Sequence, residues 1–145
     1  MLDRMKALAA SKDICVLATV SGGRPHCSLM AYVTDNECRE VYMATRKDTA
    51  KYRNLMENPF VSILIDTREE HAGARRPEAS ALTVTGRFER LEEEGKRGVV
   101  RERLLAGHPH LREFLSHPEA EPICIRISSF LLLDGLTDAH FEEIE

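Results

Sequence analysis

Strand-forming runs joined by tight-turn signals constrain this chain most. Asp13 to Val20 (DICVLATV) is rich in apolar and β-branched residues, Ser21-Gly22-Gly23 is a turn, and Arg24 to Thr34 resumes as a strand. Two such runs across a Gly-containing turn predict a hairpin. Asp35-Asn36-Glu37 marks the next turn and leads into a strand through Val41 to Thr45. Further on, Phe60 to Asp66 (FVSILID) reads as a buried strand. Ser80 to Leu91 alternates with period two, with Leu82, Val84 and Phe88 on one face. Gly86 within it predicts a bulge or a close backbone approach. Ile123 to Leu133 (ICIRISSFLLL) is the last strand.

Between the strands the period changes. Met1 to Ala10 has Leu2, Met5, Leu8 and Ala9 on one helical face. Thr49 to Asn58 puts Ala50, Leu55 and Met56 near helical spacing, and Pro59 ends it. Glu92 to Ala106 predicts a charged amphipathic helix with Val99, Val100, Leu104 and Leu105 as its stripe, and His110 to Ser116 a second short one. Residues 68–78 are polar with Gly73 and Pro77, and read as a long loop with a role at a site or interface. The expected fold is mainly β with flanking helices: six mainly antiparallel strands wrapped into a barrel, which leaves few edges exposed.

Composition sets the outer bounds. A chain of 145 residues with 43% hydrophobic and 30% charged residues has the make-up of one globular domain, 1–145. The net charge of -4 argues against nucleic acid as a partner. The acid is concentrated in a C-terminal tail from about residue 134, where Asp134, Asp138, Glu142, Glu143 and Glu145 meet no Lys or Arg. No run approaches the roughly 20 apolar residues of a membrane helix, so no membrane partner is expected. Cys15, Cys27, Cys38 and Cys124 form no C-x-x-C pair and are expected to be buried reduced thiols, which points to a cytoplasmic location.

The chemistry is concentrated in Tyr42 to Pro59, YMATRKDTAKYRNLMENP. Arg46, Lys47, Lys51 and Arg53 stand there against Asp48 alone, with Thr45 and Thr49 interleaved. A strand feeding a helix N-terminus offers free N–H groups and a favourable dipole to an anion. Thr hydroxyls and Arg or Lys add donors, so the segment suits a phosphate-sized anion. Taken alone, it also reads as a solvated basic helix face.

Three stretches carry a family resemblance: VLATVSGGRPHCSLMAYV, VYMATRKDTAKYRNLMENPFVSILI and LTVTGRFERL. Over roughly Lys12 to Leu91 the chain resembles the pyridoxamine 5′-phosphate oxidase-like family of FMN-binding split β-barrels. The resemblance implies that Thr45, Thr49 and Lys51 hold the FMN phosphate, with Arg46 adding to them. It implies backbone groups of Met30, Ala31 and Tyr32 near the polar edge of the isoalloxazine, and Gly86 in a strand near the flavin or the interface. It further implies a homodimer with two FMN sites at the subunit interface, and a small flavin-dependent oxidoreductase. The flavin carries that chemistry, so no side chain is assigned a catalytic role.

The chain also departs from the pattern. The true pyridoxamine phosphate oxidases have Arg and Lys where Ser28 and Val33 stand, Arg at Ala50 and a Gln at Ala81, and their C-terminal Trp has no counterpart. A second phosphate site for pyridoxamine phosphate is therefore not expected. A second reading keeps the dimeric barrel without FMN, as a sensor or as a binding module for haem, F420 or another phosphorylated ligand. The group His108, His110 and His117 lacks the ligands of a clear metal site, and a helix–turn boundary is expected there. His26 on the second strand either faces solvent or meets a ligand. Cys27 is either a packed thiol or a redox thiol near the flavin, and Tyr32 and Tyr52 either pack in the core or cover a flavin ring.

Overall fold

A computed structural model describes residues 1–144; Glu145, the last acid of the C-terminal cluster, lies outside the described residues. The N-terminal helix α1 (Leu2–Ser11) buries Met5 and Ala9, with Leu2 and Leu8 packed beside them. Strands β1 (Ile14–Ser21) and β2 (Arg24–Ala31) form the expected hairpin. Its turn works because Gly22 and Gly23 both take positive φ, 56° and 77°, which a side chain would resist.

The chain then breaks at Tyr32 and resumes as β3 (Val33–Thr34), which pairs with β4 (Glu40–Arg46) rather than with β1. Helix α2 (Ala50–Glu57) leads to β5 (Phe60–Asp66) and β6 (Ser80–Glu89). Helices α3 (Glu94–Gly107) and α4 (Arg112–Ser116) precede the long β7 (Ala120–Asp134), and β8 (Asp138–Glu143) ends the sheet. Strand order is β2-β1-β5-β6-β7-β4-β3, with β8 beside β7 and antiparallel pairing throughout. Because β2 and β3 are halves of one stretch, the two ends of this path meet and the sheet curls into a split barrel.

Among the described residues the sheet has eight strands, not six. The break at Tyr32 divides one expected strand, and part of the acidic C-terminal segment pairs with β7 as β8. Residues 68–78 are also more ordered in pattern than a plain loop, since Gly73–Glu78 forms a 3-10 turn. In α2 the buried residues are Asn54 and Leu55, whereas Met56 is exposed, because the helix lays the side carrying Asn54 on β1.

The barrel interior holds one apolar cluster built from Leu17, Met43, Ile63, Val84, Ile125 and Phe130 among others. A second, smaller cluster lies under α3 and α4, where Val100, Leu104 and Leu115 cover Tyr42 and Cys124. Cys15, Cys38 and Cys124 are buried free thiols as expected, but Cys27 is exposed. It sits opposite Ala18 on the outward side of β2, at the end of the strand order.

Candidate functional site

Strand alternation sorts the residues at the β4–α2 junction. Val41 and Met43 point into the barrel, and Thr45 follows them and is 2% exposed. Tyr42, Ala44 and Arg46 take the opposite side, where Tyr42 and Ala44 pack under α3. Thr45 Oγ1 lies 3.3 Å from Thr49 Oγ1. Thr49 caps α2: its hydroxyl donates to the Arg46 carbonyl (2.8 Å) and accepts from Tyr52 N–H (3.2 Å). The first-turn N–H groups of Ala50 and Lys51 have no partner within the helix.

Lys51 reaches back to β2 and sets its Nζ 3.1 Å from Met30 Sδ. Among the described residues its ammonium has no carboxylate partner within ion-pair distance. Burial pushes its pKa below the ordinary lysine value. The structure thus forms two pairs, Thr45 with Thr49 and Lys51 with Met30, joined through the first turn of α2. A partly desolvated cation without an acid, beside a helix start, is chemically an anion acceptor.

Arg46 goes elsewhere. Its Nε and Nη2 grip Asp48 at 3.0 and 2.7 Å, and this pairing holds the Asp48 carboxyl below its usual range. It borders a cleft of about 410 Å³ with His110, Glu113, Phe114 and His117. In that cleft Nδ1 of His117 accepts from Glu119 N–H at 3.0 Å.

The predicted flavin-edge segment is only partly free. Tyr32 is 1% exposed, and its hydroxyl donates to the Ala9 carbonyl inside the core. Its N–H donates to Asp13 O (3.0 Å) and its carbonyl accepts from His108 Nε2 (2.9 Å). Ladder alternation then pairs Met30 with Cys15 and turns the main chain of Ala31 outward, at the free edge. Tyr52 packs edge-on to Phe88, with ring centroids 6.4 Å apart.

At His108 the sequence predicts only a helix–turn boundary. The residue is 3% exposed, and together with Arg103, which donates to Thr34 O at 2.8 Å, it fastens the end of α3 to the β2–β3 crossing. Its position at a helix C-cap before Pro109 is the only local signal; the partner lies 76 residues away. A cleft of about 700 Å³ opens beside these two residues, and another of about 320 Å³ lies over Ile14, Leu29 and Leu64. Neither includes Thr45, Thr49 or Lys51. Among the described residues no group of three or more His, Cys, Asp or Glu side chains is placed to hold a metal ion, and no helix is long and apolar enough to cross a membrane.

Comparison with known proteins bears on the fold and the family. No curated protein matches the sequence. Among solved structures, a heme binding protein from Mycobacterium smegmatis superposes with a TM-score of 0.84 at 19% identity, covering 96% of this chain. This chain spans only 56% of that protein's length. A FAD-binding protein from Mesorhizobium loti gives 0.74 at 16% identity, with 91% of this chain and 93% of that one covered. General Stress Protein 26 from Bacillus anthracis gives 0.71 at 18% identity, with 99% and 98% covered. At such identities the likeness speaks for the split-barrel fold alone. The sequence itself carries the family: the profile described as pyridoxamine 5′-phosphate oxidase matches residues 1–122, from α1 into the start of β7. That stretch takes in the hairpin, the β4–α2 junction and the Gly86 strand, and by it the chain belongs to the pyridoxamine 5′-phosphate oxidase family.

Proposed function

We propose that the protein binds FMN and works as a small flavin-dependent oxidoreductase, not as a pyridoxamine phosphate oxidase. One observation carries this reading: half-buried Lys51, in the first turn of the helix that Thr49 caps, sets its ammonium 3.1 Å from the Met30 thioether and has no carboxylate partner among the described residues. A phosphate there gains a charge-assisted bond from Lys51 and the free N–H groups of the first helical turn. The outward main chain of Ala31, next to Met30, is left for the polar edge of the ring. Val33 supplies no cation for a second phosphate, which argues against pyridoxamine phosphate as substrate.

The site would be completed by a second copy of the chain. A row of outward-facing residues crosses the sheet from strand to strand: Leu29, Val16, Leu64, Thr83, Leu131, Phe141. Leu29 is 75% exposed and Phe141 58%. A monomer rarely leaves such a contiguous apolar surface to water, and a homodimer with this face at its centre would bring the partner to the β2 edge. The four unpaired thiols favour a reducing compartment such as the cytoplasm.

The test is optical. Purified protein should show the flavin absorbance band or take up FMN in titration, and Lys51→Ala should weaken FMN binding about 10- to 100-fold. An unchanged affinity in Lys51→Ala would remove the phosphate assignment.

A second reading rests on the cleft beside Arg46. Its lining pairs the His110 imidazole with the Phe114 ring, a ligand and a flat apolar wall suited to haem. His117 is less suited to ligation, because its Nδ1 is held as an acceptor and its proton then sits on Nε2. Protein that stays colourless with FMN but gives a Soret band with haem, lost in His110→Ala, would favour this reading.

A further inference from the structure

A phosphate monoester carries close to two negative charges near neutral pH, and Lys51 supplies one positive charge. The other cations of the β4–α2 segment are committed elsewhere. Arg46 is bound to Asp48 on the opposite side of β4, and Lys47 lies 3.6 Å from the Glu121 carboxylate. Arg53, two positions after Lys51, lies about 200° round the helix from it. The free N–H groups of the helix start add donors but no full charge, so a second cationic donor has to come from another element.

Helix α2 lies along the inner face of the β1–β2 hairpin in a fixed direction. Lys51 touches Met30, Asn54 Nδ2 donates to Thr19 Oγ1 at 3.2 Å, and Ser21 Oγ donates to Glu57 at 3.4 Å. Through the hairpin register, Met30 pairs with Cys15, Ser28 with Leu17, His26 with Thr19 and Arg24 with Ser21. The same inner face of β2 therefore reads Met30, Ser28, His26, Arg24, running beside α2 from Lys51 toward Glu57. Ser28, one strand step from the Met30 that Lys51 touches, is small and half-buried. His26 stands one strand step beyond Ser28, about 6.8 Å along the strand; Arg24 is about 13.6 Å from Ser28 and too far to share an anion with Lys51. His26 is exposed, so its ring is free to swing over Ser28.

We propose that His26 is the second phosphate donor of this site, with the anion seated over Ser28 between His26 and Lys51. An imidazole offers an N–H to the anion and a full charge when protonated. This rests on the flavin reading above and specifies which strand closes the phosphate pocket.

The test compares FMN with riboflavin, which lacks the phosphate, on the full chain. With His26→Ala, the FMN dissociation constant should rise about tenfold while riboflavin binding stays the same. His26→Arg should keep FMN binding near the wild-type level. In a Ser28→Arg background, where a guanidinium fills the gap, His26→Ala should have little effect. The proposal is overturned if His26→Ala leaves FMN affinity unchanged, or if it weakens FMN and riboflavin alike. If the wild-type chain binds FMN no better than riboflavin, the flavin-phosphate reading itself fails and this one with it.

Discussion

At Gly86 a single methyl group has no room. A Cβ there would lie 2.6 Å from the Arg126 carbonyl oxygen and 2.7 Å from Ile125 Cγ2. The first neighbour is backbone and cannot rotate aside, and the register of β6 on β7 shifts between Thr85 and Gly86. We expect Gly86→Ala to lower stability by about 1–3 kcal/mol, read as a lower urea midpoint; a variant as stable as wild type would mean that β7 does not press on this position. The glycine was legible in sequence because a strand interior otherwise excludes it. The Thr45–Thr49 contact and the place of Lys51 in the first turn of α2 were legible for a similar reason, since a strand end, a cap and the first helical turn are local. Arg46 was not separable from that group by charge alone; strand alternation turns it to the other side of β4. The engagement of Tyr32 with Ala9, Asp13 and His108 depends on three distant segments and leaves no local trace.

Helix α3 shows how an element is held when its apolar stripe is thin. Only Val100 and Leu104 are buried. The rest of its grip is polar: Lys96 to Glu40, Arg97 to Glu121, Arg101 to Leu115 O and Arg103 to Thr34 O. Glu40 is the most enclosed of these acids, 6% exposed, and also accepts from Tyr42 Oη and Cys124 Sγ. Burial by itself would raise its pKa, but the hydrogen bonds from Tyr42, Lys96 and Cys124 and the Lys96 charge outweigh it and hold the carboxyl below the usual range. A depressed carboxyl stabilises the fold above its unfolded value, about 4.3, and loses that contribution as pH falls through the folded value. Glu40→Gln should therefore cost about 1–3 kcal/mol near neutral pH, and the gap to wild type should narrow below about pH 4. Urea unfolding at a series of pH values checks both; a gap independent of pH would show that the carboxylate charge is not what holds α3. Sequence periodicity located this helix but not its fastening, because Glu40 and Lys96 are 56 residues apart. Periodicity likewise missed β8, whose acids mask a strand that forms only because β7 offers an edge.

On the scale of the whole molecule, the outer face of the sheet decides whether one chain is a complete unit. Leu29, Val16, Leu64, Thr83, Leu131 and Phe141 lie side by side across six strands, and Leu133 and Ile14 extend the apolar area at 47% and 44% exposure. A stable dimer needs about 800 Å² per partner with an apolar centre, and six strands set side by side span about 24 Å across the sheet. Leu29 is the sharpest place to test it, because it belongs to both the apolar row and the free edge beside Ala31. We expect wild-type protein to sediment as a dimer at micromolar concentration and Leu29→Glu as a folded monomer, since its outward side chain has no role in the barrel interior. If the ligand site needs both chains, Leu29→Glu should also lose FMN even though Thr45, Thr49 and Lys51 are untouched. A Leu29→Glu monomer that still binds FMN would place the whole site within one chain. A wild-type monomer would leave the apolar row without the partner argued for it.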